Sequence, residues 1–145
     1  MIFVTKATKD DLSEILNLDF DNFSNNFDEK FYLNYIEQEK ILLAKEKDKT
    51  VGYILFEYIV NEAEIYKIAV SKKHRKLGIG SLIMKEFLNF MSEKSADKIF
   101  LEVRESNFAA INLYRKFGFV NVRTIIDYYK NPKENGFMMI KEVNR

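Results

Sequence analysis

The stretch IYKIAVSKKHRKLGIGSLIMKEFLNFM, from Ile65 to Met91, limits the possible folds more than any other part of the chain. It opens as a strand and closes with apolar residues at helical spacing. The connection carries Lys72, Lys73, Arg75 and Lys76 ahead of Gly78 and Gly80. The first N–H groups of a helix have no partner inside it, and the helix dipole favours an anion there. Gly78 and Gly80 let the backbone approach a ligand with no Cβ in the way. A strand feeding a helix in this way calls for a sheet with helices packed on it.

The glycine turn does not by itself name its anion. A dinucleotide fingerprint needs a third glycine where Ile83 stands, and no G-x-x-x-x-G-K-[ST] run exists. An ordinary connecting loop with solvated lysines is the plain alternative. Bulk charge gives no help: 23 Lys plus Arg face 22 Asp plus Glu, a formal net charge of +1, so any anion site is local and a nucleic-acid surface is not expected. Without cysteine there is no disulfide, thiolate metal site or Cys nucleophile, which fits a cytoplasmic protein. His74, the single histidine, sits among cations with no ligand set around it and reads as a solvated loop residue; no metal is expected. The most apolar windows are broken by charges such as Lys85 and Glu86, so no membrane span is expected.

At 145 residues the chain is sized for one domain, residues 1–145. IFVTKA alternates as an opening strand. Thr8 caps a helix with Leu12, Ile15, Leu16 and Leu18 at helical spacing, and Asp28 caps a second. ILLAKEKDKTVGYILFEYIV reads as a hairpin turning near Asp48 and Lys49, and AEIYKIAV as the next strand. The helix after the glycine turn places Leu82, Ile83, Phe87, Phe90 and Met91 on one face. DKIFLEVRE alternates, FAAINLYRKFG is a short helix stopped by Gly118, and FVNVRTIIDYY and GFMMIKEV are closing strands around the loop at Pro132. The expected order is β-α-α-β-β-β-α-β-α-β-β, an α+β fold with a mixed sheet.

R-x-x-G-I-G after a strand ending IAV, followed by LEVRESNFAAINLYRKFGF, closely resembles the GNAT superfamily of acetyl-CoA-dependent N-acetyltransferases. The resemblance runs from Ala63 to Phe119 and includes the ending DYYKNPKENGFMMIKEV. Within the superfamily the ribosomal-protein alanine N-acetyltransferase (RimI-type) group is the most similar, sharing LEVR, SN-x-x-A-I-x-LY and YY in these relative places. It implies a central, mostly antiparallel, twisted sheet of about seven strands flanked by four helices. It also implies acetyl-CoA as acetyl donor. Arg75, Lys76, Leu77, Gly78, Ile79, Gly80 and Ser81 would then cradle the coenzyme A pyrophosphate. The backbone of Ile68, Ala69 and Val70 would bind the acetyl-pantetheine arm, one N–H polarising the thioester carbonyl.

The same resemblance makes Glu102 the general base. On alternation alone it is one charge on the half-exposed face of its strand. The chemistry does need a base: an amine attacks a thioester only when unprotonated, and an α-amino group has a pKa of about 8. Tyr114 shares a helical stripe with Ile111 and Phe117 and could simply pack. By resemblance it protonates the departing thiolate and touches the coenzyme, as does Asn107, which lies seven residues before it, two helical turns, so that both can face one ligand. By resemblance, too, Tyr128 and Tyr129 cover the acceptor and Phe23 belongs to its site, although Ser24 and Asn25 stand where that group often has a Pro-aromatic pair. With no Cys and no candidate His nucleophile, direct transfer in a ternary complex follows. The first expectation for the acceptor is a protein N-terminus, that of a small ribosomal protein by the resemblance. A small-molecule amine or a lysine side chain is the second, and a non-catalytic acyl-CoA-binding domain the third.

Overall fold

A computed structural model describes residues 1–143 of the chain. Its elements are β1 (Ile2–Lys6), α1 (Leu12–Asn22), α2 (Glu29–Glu37), β2 (Ile41–Glu46), β3 (Lys49–Ile59), β4 (Glu62–Val70), α3 (Ile79–Glu93), β5 (Lys98–Arg104), α4 (Phe108–Lys116), β6 (Val120–Tyr129) and β7 (Glu134–Glu142). Short 3-10 turns at Lys9–Asp11 and Lys72–His74 precede α1 and α3. The strands form one sheet in the order β1-β2-β3-β4-β5-β7-β6. β4 and β5 run parallel, while β1/β2, β2/β3, β5/β7 and β6/β7 are antiparallel. The mixed seven-stranded sheet with four helices is the expected fold, and the element order agrees.

Local chemistry accounts for most boundaries. The Asp28 carboxylate accepts from the Phe31 N–H at 2.8 Å and starts α2. Gly118, at φ +93°, ends α4 in the left-handed region that glycine enters without strain. The first helix departs from expectation. Thr8 precedes a 3-10 turn, its N–H and hydroxyl both donating to the Asp11 carboxylate at 2.8 and 3.1 Å, and α1 begins only at Leu12.

The contacts divide the chain into two compact units: Met1–Phe56 with Lys67–Phe90, and Glu57–Tyr66 with the chain from Met91 onward. The first unit has a core of Ile15, Leu18, Tyr32, Ile36, Ile41, Leu43, Tyr53 and Leu55. Fully burying side chains of this size stabilises the fold by about 1.5–3 kcal/mol each. On α3 the buried stripe is Ile83, Met84, Phe87 and Met91. The expected face therefore gains Met84, whereas Leu82 and Phe90 are only half-buried. In the second unit Ile99, Leu101 and Val103 of β5 point inward, as their alternation requires, and Ile111, Tyr114, Phe119 and Met139 are buried with them. Among the described helices none is long and apolar enough to cross a membrane.

Candidate active site

In the first unit β4 leads into the glycine turn. The Ser71 N–H donates to the Val51 carbonyl of β3 at 2.8 Å and fixes the end of the strand. After the 3-10 turn, Lys76 (φ 65°) and Gly78 (φ +81°) both occupy the left-handed region, and α3 starts at Ile79. A Cβ on Gly78 would meet nothing within 4 Å, so open space adjoins the backbone there. Left-handed residues next to a helix start turn successive N–H groups toward one side, the geometry that receives phosphate oxygens. The turn therefore fits the pyrophosphate of coenzyme A. Lys72, Lys73, Arg75 and Lys76 are exposed beside it and supply positive charge.

Arg75 has structural partners of its own. Its Nη2 donates to Asn22 Oδ1 at 2.5 Å and its Nε to the Val70 carbonyl at 3.4 Å, tying the turn to the end of α1. His74 is a correction: its side chain is 17% exposed rather than solvated, with Nε2 3.4 Å from Glu46 Oε1. Gly52 on β3 stands close to the strand end. A Cβ there would lie 2.8 Å from the Ala69 carbonyl oxygen and 3.0 Å from Ile83 Cδ1, so only glycine lets β4 and α3 come this near.

The candidate acceptor residue Phe23 closes α1, and six residues, Phe23 to Asp28, link it to α2. A buried polar network that the sequence reading missed lies beneath this loop. Lys67 of β4 and Asp19 of α1 form an ion pair at 2.7 Å, with Lys67 8% and Asp19 1% exposed. The other Asp19 oxygen accepts from the Phe27 N–H at 3.0 Å and the Tyr32 hydroxyl at 2.9 Å. The Tyr53 hydroxyl is 2.8 Å from that of Tyr32. Burial pulls the Lys67 ammonium below the usual lysine range, while Asp19 opposes that shift. The alternation of AEIYKIAV carried the signal: Lys67 falls on the face shared by Ala63, Ile65 and Ala69.

In the second unit Glu102 lies half-buried on β5, and its Oε1 accepts from the Tyr128 hydroxyl at 2.9 Å. Glu64 of β4 pairs in register with Phe100, so Glu64, Phe100 and Glu102 share one face. Burial, and then the negative charges of Glu102 and Glu57, push the Glu64 carboxyl up. Two carboxylates on one face make a negative surface suited to an ammonium group. A carboxyl shifted upward is also the better proton acceptor near neutral pH. Glu64 was not singled out from the sequence, where it is one polar residue on an alternating strand.

Tyr114 is 5% exposed on α4, and its ring stands 5.8 Å from that of Phe119. Burial, and then the neighbouring Tyr129, push its phenol up, so the hydroxyl stays protonated, as a proton donor must. Asn107 does not lie inside the helix with it. Asn107 is the N-cap of α4, exposed, its Oδ1 accepting from the Ala110 N–H at 3.2 Å. Its carbonyl accepts from the Ile111 N–H at 3.0 Å, the first helical bond of α4, so Asn107 marks the start of the helix two turns before Tyr114.

The Tyr128–Tyr129 pair stands on a bulge. β6 takes four residue steps from Ile125 to Tyr129 while β7 takes two from Gly136 to Glu134. Asp127 in the bulge has φ 54°, and its N–H donates to Asn135 Oδ1 at 2.9 Å. The two rings meet edge to face at 4.9 Å over Gly136, where a Cβ would lie 3.0 Å from Tyr129 and 3.2 Å from Tyr128. Arg104 holds the hairpin from below. It donates to the Pro132 and Lys130 carbonyls at 2.9 Å and to Glu134 at 3.1 Å, and its guanidinium lies 4.5 Å from the Tyr129 ring centre. Burial, and then the Glu102 carboxylate, push both phenols up. Arg104 and Gly136 are thus positioning elements; they lie in the shared LEVR motif and the shared ending, but the resemblance gives neither of them a role.

Residues 10–119 match the family described as Acetyltransferase (GNAT) family, a span with residues in both units. An N-alpha-acetyltransferase of Sulfurisphaera tokodaii is 29% identical, over 94% of this chain and 90% of its own. A [ribosomal protein bS18]-alanine N-acetyltransferase of Haemophilus influenzae is 32% identical, over 83% of this chain and 78% of its own. Among solved structures, Arabidopsis thaliana Naa50 in complex with the bisubstrate analogue CoA-Ac-MVNAL superposes with a TM-score of 0.87 at 26% identity, covering 98% of this chain and 99% of that one. The turn, the paired carboxylates and these matches agree, and the chain belongs to the acetyltransferase (GNAT) family as an acetyl-CoA-dependent N-acetyltransferase.

Proposed function

We propose that this chain is a single catalytic domain that transfers the acetyl group of acetyl-CoA to the free α-amino group of a protein N-terminus, in one direct step. The similarity to N-alpha-acetyltransferases over nearly the full length of both chains carries this reading of the acceptor. The turn from Arg75 to Ser81 receives the pyrophosphate, and the backbone of Ile68 to Val70 runs along the acetyl arm. Glu102 takes the proton from the attacking amine as the N–C bond forms. As the C–S bond breaks, Tyr114 gives its proton to the coenzyme sulfur. Asn107 assists coenzyme binding, while Phe23, Tyr128 and Tyr129 shape the acceptor site. The chain works in the cytoplasm, which its lack of cysteine supports.

The Tyr128 hydroxyl on Glu102 supports the assignment of the base, since it orients one carboxylate oxygen and leaves the other for the incoming amine. Glu102→Gln keeps the shape and removes the proton acceptor. Its kcat/KM with an N-terminal peptide should fall about 100-fold or more, while acetyl-CoA binding measured by calorimetry stays at the wild-type value. Wild-type turnover by this variant would remove Glu102 from the mechanism.

A further inference from the structure

The loop from Phe23 to Asp28, FSNNFD, contains neither proline nor glycine and carries two adjacent asparagines, so its sequence gives it no intrinsic stiffness. Its order comes from beneath. The Lys67 ammonium donates to Asp19 Oδ1 at 2.7 Å and to the Asn25 carbonyl at 2.5 Å, and lies 4.6 Å from the Phe23 ring centre and 4.2 Å from that of Phe27. Asp19 in turn holds the Phe27 N–H and the Asn26 side-chain amide, at 3.0 and 3.1 Å. One buried cation therefore meets a backbone carbonyl and two aromatic rings of the same loop.

A buried ion pair is a poor choice for stability alone, because an apolar pair of similar volume commonly serves as well or better. What the pair does supply is direction: a charged donor and acceptor satisfied in one arrangement specify that arrangement. Lys67 immediately precedes Ile68 to Val70 on β4, so the loop is tied to the strand segment assigned to the acetyl arm. Arg75 adds a second tie from the glycine turn to Asn22.

We infer that Lys67 is a positioning residue for the acceptor, fixing the Phe23–Asp28 loop to β4 and thereby setting which N-termini are accepted. The inference rests on the reading of Phe23 as an acceptor-site residue. Lys67 holds Phe23 of the acceptor site, together with Phe27 of the same loop, in one arrangement. Without it the coenzyme turn stays intact and the loop loses its single arrangement.

The test compares the full chain with Lys67→Met and with the double variant Asp19→Asn/Lys67→Met, which leaves no buried charge uncompensated. Peptides of one sequence starting with Ala, Ser or Met serve as acceptors. For the best peptide the acceptor KM should rise about tenfold and the preference among peptides should flatten, with kcat changed about threefold at most. Acetyl-CoA affinity by calorimetry should match wild type, and amide exchange at Phe27 should accelerate about tenfold or more. Unchanged acceptor KM and unchanged preference in the double variant would overturn the inference. So would acetyl-CoA affinity that weakens in step with acceptor KM, the mark of a general structural role. If the wild-type chain acetylates none of the peptides, the N-terminal reading fails separately, and unchanged exchange at Phe27 in the double variant would then overturn the role of Lys67.

Discussion

Gly52 gives the sharpest steric prediction. A methyl group at this position would stand 2.8 Å from the Ala69 carbonyl oxygen, 3.0 Å from Ile83 Cδ1 and 3.5 Å from Ile79 Cγ2. Non-bonded heavy atoms settle at about 3.5 Å or more, so the carbonyl must retreat by roughly 0.7 Å. The end of β4 has little freedom to do so, because the Ser71 N–H is bonded to the Val51 carbonyl beside it, and Ile79 and Ile83 are buried. Overpacking of this kind costs about 1–3 kcal/mol, and for a chain of this size each kcal/mol lowers Tm by roughly 2–4 °C. Gly52→Ala should therefore melt about 5 °C below wild type. The same displacement moves the strand segment assigned to the acetyl arm, and a misplacement approaching 1 Å can cost as much as about 100-fold in rate. The acetyl-CoA kcat/KM should fall by about tenfold or more, measured at saturating acceptor beside a thermal melt. A Gly52→Ala protein with wild-type Tm and wild-type acetyl-CoA kinetics would refute the close approach and the role given to Ala69.

Two further predictions concern the second unit. The Glu64 carboxyl is raised in the fold, so the native state loses stability as pH climbs from the ordinary carboxylate range through the raised value. Glu64→Gln should therefore be more stable than wild type at neutral pH and equal to it in acid, by denaturant titration at the two pH values; a gain independent of pH would contradict the charge argument. Gly136→Ala should push the Tyr128 and Tyr129 rings off their seat and weaken the Tyr128 bond to Glu102, worth about 1 kcal/mol at a partly exposed position. Acceptor kcat/KM should drop about fivefold with acetyl-CoA affinity unchanged, and the effect should vanish in a Tyr128→Phe background. A drop of the same size in that background would point to another cause.

Legibility in the sequence follows the range of the interaction. Periodicity and capping act within a few residues, so the element order, the Asp28 cap, the Gly118 stop and the buried face of β5 could all be read directly. The glycine turn was legible because local chemistry, two glycines before an apolar-periodic run, defines it. Glu102 and Tyr114 entered through resemblance, since alternation says only which way a side chain points. The roles of Gly52, Glu64, Arg104 and Gly136 are not legible because each rests on partners distant in sequence: a carbonyl of another strand, a second carboxylate, a hairpin loop, two rings. Asn107 has a local role besides, since its side chain caps α4, which its seven-residue spacing from Tyr114 does not show. Lys67 lay in plain view as a cation on an apolar face, a pattern that asks for a buried partner.

Acceptor chemistry is the most direct test. The wild-type chain is incubated with acetyl-CoA and a peptide bearing both a free α-amino group and a lysine, and the acetyl group is mapped by fragmentation mass spectrometry. The two nitrogens differ by roughly 2.5 pKa units, so a carboxylate base has far less to do at the α-position. One acetyl group on the α-nitrogen, with the lysine untouched, is the expected result. Acetylation confined to the lysine side chain, or transfer to small amines but to no peptide, would contradict N-terminal acetylation as the function of this chain.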